Sequence, residues 1–492
     1  MGLHATPPTR PQPNASTHDS VTPTGQTCRV PSERNDLDRA PLEQLVADTA
    51  QRHRCHTISW GVVRDGELAL TGSVGPLDVD ADTVYRIASM TKSFSAAATL
   101  VLRDEGAFQL DDPIGRLVPT LSSLRGPTSD AAPITIRDLL SMTSGFVTDD
   151  AWADRNLELR DDEFDAIVRS GPVFAQPTGT GFEYSNFGYA VLGRVVHRVT
   201  GRPLQQHVSE RLLEPLGMTR TTWVMPPPDT DWAHPMRWLD GGYVEELPPL
   251  GDGLIAPMGG LWTTVGDLAK WISWLDDAFP ARDEPDEGPL RRASRREMQT
   301  SQQYVGMRTY GEIRYATSYC LGLRELHEPR RRPITTHSGG LPGYGSNMSW
   351  RPGAKLGTIA LSNATYAPMT ELGIRMLELA TDQIQPSPPE HPVTAIVSEA
   401  AAGLIALLND WSDPRADRLF SNNVRHDDSW AKRRQEAEAY RPLTISSIQA
   451  INDARAKIRC STGHGTKVTI TFSLATNDPT AIQHYEFNQP HE

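Results

Sequence analysis

One stretch constrains this chain more than any other: residues 86–105, where a short polar start gives way to a long apolar and small-residue run. Phe94, Ala97, Ala98, Val101 and Leu102 recur at helical spacing, which predicts a buried helix. Ser89 stands at its predicted start, a position where a serine can cap the first turn. Lys92 follows one turn later on the same face. A lysine there meets the positive end of the helix dipole and an apolar core, and both disfavour its charged form. An uncharged amine beside a serine hydroxyl is a base beside a weak nucleophile, which is what covalent catalysis requires.

A single Ser-x-x-Lys match also fits a capping serine followed by a surface lysine. The chain contains such a second match, Ser429 to Lys432, in a stretch crowded with Arg and Glu. Context separates the two: only Ser89 is followed by an apolar helix and by two further motifs downstream.

At 492 residues the chain is long enough for two or three domains, and its 38% hydrophobic content supports a globular core. No run of about 18 apolar residues exists, so no membrane span is expected. No apolar block flanked by basic residues occupies the first forty positions, which predicts no secretory leader and a cytoplasmic location. The net charge of −13 argues against nucleic acid and anionic membrane as partners. Cys28, Cys55, Cys320 and Cys460 lack metal-ligand spacing and read as isolated thiols in a reducing compartment.

Residues 1–38 are too poor in large apolar groups to order themselves and read as a disordered tail. A helix is predicted over 42–53. Strands are predicted over 57–63 and 68–73, joined at Asp65-Gly66. Residues 134–145 read as an N-capped helix closing on Gly145, and 149–169 as helical. A glycine-rich loop over 178–186 leads into a helix ending at Gly201. Residues 225–257 promise little regular structure, 266–279 a helix, and 280–296 a charged surface loop. Strands are expected at 319–325, 334–337, 345–350 and 357–361. A proline-rich linker occupies 385–392. Residues 393–492 then read as a small α+β domain with a curved antiparallel sheet. No chemical motif stands out in it: His464 falls in a turn, and the domain reads as a lid or as a passive stabiliser.

The second motif is Tyr184-Ser185-Asn186, in a loop before a helix. A tyrosine can pass a proton to a leaving group where positive charge lowers its pKa, and an asparagine can hold a substrate amide. Taken alone, Tyr184 could equally fill core and Asn186 cap the helix. The third is His337-Ser338-Gly339-Gly340, at the end of a predicted strand. Consecutive glycines allow a ligand close to the backbone edge. A backbone N–H there, with that of Ser89, could bind an oxyanion.

In this order, Ser89-x-x-Lys92, Tyr184-x-Asn186 and His337-x-Gly339 resemble the three active-site motifs of the penicillin-recognising serine hydrolases: class C β-lactamases, D-alanyl carboxypeptidases, D-aminopeptidases and related esterases. The resemblance covers roughly 40–380 and extends to the segments 134–145, 188–193, 214–218 and 258–268. It implies an α/β chain of the β-lactamase/transpeptidase type over 39–384, an antiparallel sheet flanked by helices with a helical subdomain. It implies that Ser89 is acylated, that Lys92 or Tyr184 is the base, and that Tyr184 protonates the leaving group. Asn186 and His337 would bind substrate, with Gly339 and Gly340 lining its path and the Gly340 N–H joining the oxyanion hole. Many relatives carry a lysine where His337 stands. A histidine is mostly neutral at pH 7, so strong β-lactamase or carboxypeptidase action is not expected. The implied activity is acyl-enzyme hydrolysis of an amide or ester in a small-molecule or peptide substrate, such as a D-amino-acid peptide, with no metal and no cofactor; the alternatives are a peptide-cyclising thioesterase and a weak β-lactamase or carboxypeptidase.

Overall fold

The central sheet is built from both ends of the first 384 residues. In the computed structural model, residues 37–124, 126–227, 230–247, 250–286, 288–329, 331–384 and 391–488 are described. Most of the expected tail (1–36) and most of the expected linker (385–390) lie outside the described residues, as does Cys28.

Helix α1 (Arg39–His53) is capped by Asp38, whose side chain accepts from the Ala40 N–H. Strands β1 (Ile58–Arg64) and β2 (Glu67–Val74) follow as the predicted hairpin. Asp65 and Gly66 both have positive φ, 54° and 90°, which suits the strand twist. The remaining strands of the sheet come some 230 residues later: β3 (Gln303–Tyr310), β4 (Ile313–Tyr319), β5 (Arg324–His327), β6 (Ile334–Leu341), β7 (Tyr344–Arg351) and β8 (Leu356–Ser362). The order is β2-β1-β8-β7-β6-β5-β4-β3, every pair antiparallel. Strands β7 and β8 are buried throughout because helices cover both faces.

Between the two sheet segments run helix α2 (Thr91–Asp104), the four-residue α3 (Asp150–Ala153), α4 (Asn186–Thr200) and α5 (Val265–Asp276). Helix α6 (Met369–Ile384) closes this part of the chain. Helix α5 packs on β1, β7 and β8, while α6 packs on β7 and β8 with α1 behind it. Every residue of α2 from Thr91 to Leu102 is buried, so the predicted apolar helix is internal. Phe94 stacks on Trp271 of α5, ring centres 3.9 Å apart. Helix α4 is capped by Ser185, which accepts from the Gly188 N–H, and stops at Gly201 with φ 73°.

Several sequence expectations need correction. Ser89 caps nothing: it lies in a 3₁₀ turn (Ala88–Met90), and α2 begins at Thr91 with no side-chain cap. Residues 134–145 hold only a short helix, Ile136–Leu140; a Thr135–Asp138 capping box starts it, and it ends well before Gly145. The apolar run 319–325 is a hairpin rather than one strand, turning at Gly322 with φ 73°. Residues 236–245 form a two-stranded ribbon around Asp240-Gly241, both with positive φ. The charged loop ends in a helix, Arg292–Glu297, whose Arg295 is buried. Strand β6 does not stop at His337 but runs on through both glycines to Leu341.

From Ala395 the chain forms a separate hydrophobic core. Helix α7 (Ala395–Asn409) packs Leu404 and Leu408 with a four-stranded antiparallel meander, β9 (Leu443–Asn452), β10 (Arg455–Thr462), β11 (Lys467–Leu474) and β12 (Ile482–Asn488). This is the expected small α+β unit. Ser429 caps the helix Trp430–Tyr440, and Lys432 is exposed against Asp428. The second Ser-x-x-Lys match therefore has the ordinary capping geometry.

Candidate active site

The turn carrying Ser89 is held from below. Ala88 is buried with φ 49°, an unusual conformation for a residue with a Cβ, and it lifts the Ser89 side chain toward the cleft. Strand β6 presses on this turn. A Cβ at Gly339 would lie 2.2 Å from the Ile87 carbonyl oxygen and 2.5 Å from Ser346 Oγ, so only glycine fits. Ser346 of β7 also donates to that carbonyl at 2.7 Å. The backbone edge at Gly339-Gly340 is thereby fixed beside Ser89.

Lys92 is completely buried one turn into the site. Its Nζ lies 2.9 Å from Ser89 Oγ, 2.7 Å from Asn186 Oδ1 and 2.9 Å from the Met258 carbonyl oxygen. Burial lowers its pKa to about 7, against the pull of Asp150, Asp154 and Asp149; Arg324 pushes it the same way as burial. As an ammonium, Lys92 fills all three contacts as a donor. As an amine, it keeps two protons on the two carbonyl-type acceptors, and its lone pair is left facing Ser89. The surroundings thus aim the base at the hydroxyl.

Tyr184 is half-buried, with Lys92 Nζ 4.9 Å from its ring centre. Its phenol hydrogen-bonds Ser89. The sequence argument made its role conditional on nearby positive charge lowering its pKa. Burial instead raises it well above the usual value, with Tyr319 and Asp150 adding to the rise, while Ser89 and Arg324 oppose it. Tyr184 therefore holds its proton, and its contact with Ser89 joins two hydroxyls, either of which can donate.

Asn186 is placed differently from expectation. It is fully buried, behind Lys92 rather than at the cleft surface. Its Oδ1 accepts from Lys92, and its Nδ2 donates to Asp150 Oδ1 at 2.7 Å. Its backbone N–H and that of Phe187 bond the two oxygens of Asp149.

His337 forms part of the cleft floor with little exposed surface. Its Nδ1 lies 2.8 Å from the Ser338 carbonyl oxygen, which can only accept, so Nδ1 carries the proton. Nε2 then accepts from the Tyr319 hydroxyl at 3.3 Å. Burial lowers the imidazole pKa well below its usual value, helped by Lys92 and Arg324. Both ring nitrogens are occupied and the ring is neutral.

The cleft has a volume of about 600 Å³ and brings Ser89, Tyr184, His337, Gly339 and Gly340 together. Its two walls differ in charge. Asp150 and Asp154 line one, and Arg308 and Arg324 from the sheet line the other. Burial raises Asp154 to about 7, and Tyr366 donates to it at 3.0 Å. The Arg324 guanidinium lies 5.2 to 5.7 Å from the ring centres of Phe182, Tyr184 and Tyr319. Among the described residues neither arginine is paired with a carboxylate.

A family model described as Beta-lactamase matches residues 42–382. The chain belongs to the Beta-lactamase family. As a member it is a serine hydrolase. It resembles protein flp of Staphylococcus aureus strain MW2, 31% identical over 194 residues; the match covers 37% of this chain and 38% of that protein. Protein flp of strain N315 is 25% identical over 386 residues, covering 76% and 69% respectively. Among solved structures, an octameric penicillin-binding protein homologue from Pyrococcus abyssi has a TM-score of 0.61 at 22% identity, over 92% of this chain and 100% of its own. A D-stereospecific amidohydrolase from Streptomyces sp. has a TM-score of 0.56 at 24% identity, over 69% of this chain and 98% of its own. At these identities the likeness is one of fold.

Within this β-lactamase-family site, sequence reading missed Asp150, Met258, Tyr319 and Arg324. Asp150 sits in a charged segment where one charge looks like the next, and Arg324 ends an apolar run that reads as a strand. Met258 acts through its backbone carbonyl, which no side-chain pattern reveals. No helix among the described residues is long and apolar enough to cross a membrane.

Proposed function

We propose that this protein hydrolyses an amide or ester through an acyl-enzyme on Ser89, with Lys92 as the base and Tyr184 as the acid. The observation that carries this is the 2.9 Å contact between a buried, weakly basic Lys92 and a Ser89 that opens on the cleft. Ser89 Oγ attacks the carbonyl carbon while its proton passes to Lys92 Nζ. The oxyanion faces the backbone N–H groups of Ser89 and Gly340. As the intermediate collapses, the scissile bond breaks and the leaving nitrogen or oxygen takes the Tyr184 proton. The proton held on Lys92 then restores the phenol. Water completes the cycle through the same groups, releasing the acid and free Ser89.

The substrate class follows from the charged walls. His337 offers no cation, but Arg308 of β3 and Arg324 of β5 do, from two strands of the sheet with β4 between them, and both line the cleft. A substrate carrying a carboxylate near the scissile bond fits that wall. A D-amino-acid peptide with a free carboxyl terminus is such a substrate, and the fold's likeness to a D-stereospecific amidohydrolase supports that class. The test is intact-protein mass spectrometry after exposure to D-amino-acid peptides with free or amide-capped carboxyl termini, and to p-nitrophenyl esters. The expected result is an adduct that maps to Ser89, with the free carboxylate consumed faster. Labelling at another residue would overturn the mechanism, and indifference to the cap would overturn the substrate class.

A further inference from the structure

We propose that Asp150 is a positioning residue for the reaction: it locks the Asn186 side-chain amide so that its oxygen, and not its nitrogen, faces Lys92. This rests on the serine-hydrolase reading above and names a part that no motif contains.

An asparagine amide can sit in either of two orientations related by a half turn, with oxygen and nitrogen exchanged. Asn186 is sealed from solvent, so its neighbours alone decide between them. On one side lies Lys92 Nζ at 2.7 Å; on the other lies Asp150 Oδ1 at 2.7 Å. A carboxylate only accepts, so Asp150 demands the amide nitrogen and turns the oxygen toward Lys92. In the reverse orientation an N–H would point at the lysine. The amine lone pair would then accept from Asn186 instead of facing Ser89, and one amine proton would lose its acceptor. The base would be present but aimed away from the nucleophile. Main-chain bonds from Asn186 and Phe187 to Asp149 fix the start of α4 but leave the side-chain amide free to turn. A protonated Lys92 also selects the amide oxygen; once Lys92 is the free amine, Asp150 alone among the described residues supplies the discriminating contact.

Asp150 also faces Lys92 as a charge. The groups felt by Lys92 are Asp149, Asp150 and Asp154 from the α3 segment, and Arg324 from β5. The phenols of Tyr184 and Tyr189 lie beneath it, and the neutral His337 lies on β6. Taking away the Asp150 charge while keeping its shape weakens the hold on the ammonium. The lysine then loses its proton at lower pH.

Two substitutions separate the roles. Asp150→Asn keeps an oxygen that can accept from Asn186 Nδ2 but removes the charge. Asp150→Ala removes both. With a p-nitrophenyl ester, D150A is expected to lose roughly 10–100-fold in kcat, the scale of a misplaced catalytic group, with little change in KM. D150N is expected to recover most of that loss and to move the acidic limb of kcat/KM to lower pH. Thermal melting of each variant monitors folding. If D150A does not fold, the limb of D150N still decides. An unmoved limb in D150N, a D150N as impaired as D150A, or a fully active D150A would each overturn the proposal. Ser89→Ala is assayed alongside. If that variant keeps its activity, the serine reading itself fails and takes this proposal with it, whereas loss in S89A with an unmoved D150N limb removes only the role of Asp150.

Discussion

The hydroxyl of Tyr319 lies 3.3 Å from Nε2 of His337, and the opposite ring nitrogen is committed to the Ser338 carbonyl. With both nitrogens spoken for and the imidazole pKa lowered well below its usual value, His337 does not titrate in the working range. An activity limb near neutrality would ordinarily be assigned to a histidine. Two other groups at the cleft lie there, Lys92, lowered from 10.5 to about 7, and Asp154, raised to about 7; as the base of the proposed mechanism, Lys92 is expected to set the limb. The sign follows: the amine is the active form, so kcat/KM rises as pH passes up through about 7 and falls about tenfold per unit below it. His337→Asn is expected to lower the rate but keep that limb. A pH–rate profile of the variant checks this, and a limb that disappears would assign it to the imidazole.

Ser89→Ala is expected to abolish hydrolysis of a p-nitrophenyl ester, by at least about 10³-fold. Ser429→Ala removes only a helix cap in the C-terminal unit and should cost about 1 kcal/mol of stability with no loss of rate. Steady-state assays and urea unfolding of the two variants give both answers.

Arg324→Gln tests the cationic wall. For a substrate with a free carboxylate, KM should rise about 10–100-fold, the value of a hydrogen bond to a charged group. For an uncharged ester the change should be much smaller. Equal effects on both would mean that Arg324 acts through the Tyr184 ring, 5.7 Å from its guanidinium, and not on substrate.

Adjacent glycines on β6 should respond differently. Gly339→Ala forces a methyl to 2.2 Å from a main-chain carbonyl oxygen and should cost roughly 2–3 kcal/mol or more. At Gly340 the nearest atom is Tyr366 Cδ1 at 3.0 Å, on a half-exposed side chain with room to turn. Gly340→Ala should cost less than half as much. Denaturant midpoints of the pair measure the difference.

How much of this was legible beforehand depended on what each segment says locally. The hairpin at Asp65-Gly66 and the buried helix after Ser89 were readable because turn chemistry and periodicity are written into a few adjacent residues. The strand β3 and helix α6 went unread: β3 is an edge strand with no continuous apolar run, and α6 mixes its buried face with the exposed Glu371 and Asp382 and a half-buried Arg375. Of the site, the three motifs were visible as spacing, and Ser89, Lys92, Tyr184 and His337 do meet. The role drawn for Asn186 misplaced it, since spacing cannot say whether an amide faces the cleft or the lysine behind it. Nor could it reveal Tyr319 and Arg324, which reach the site only because β5 pairs with β6 and β4 pairs with β5.

The missing methyl at Gly339 has one more implication. Two pieces of chain some 250 positions apart are clamped together there without slack, so the geometry around the reacting carbon has no freedom to drift. Any adaptation to a new substrate must come instead from the rims, from the acidic turn at 150–154 on one bank and the arginine-bearing strand ends on the other. Variants selected for altered specificity should therefore accumulate at those margins and leave the hinge-less centre untouched.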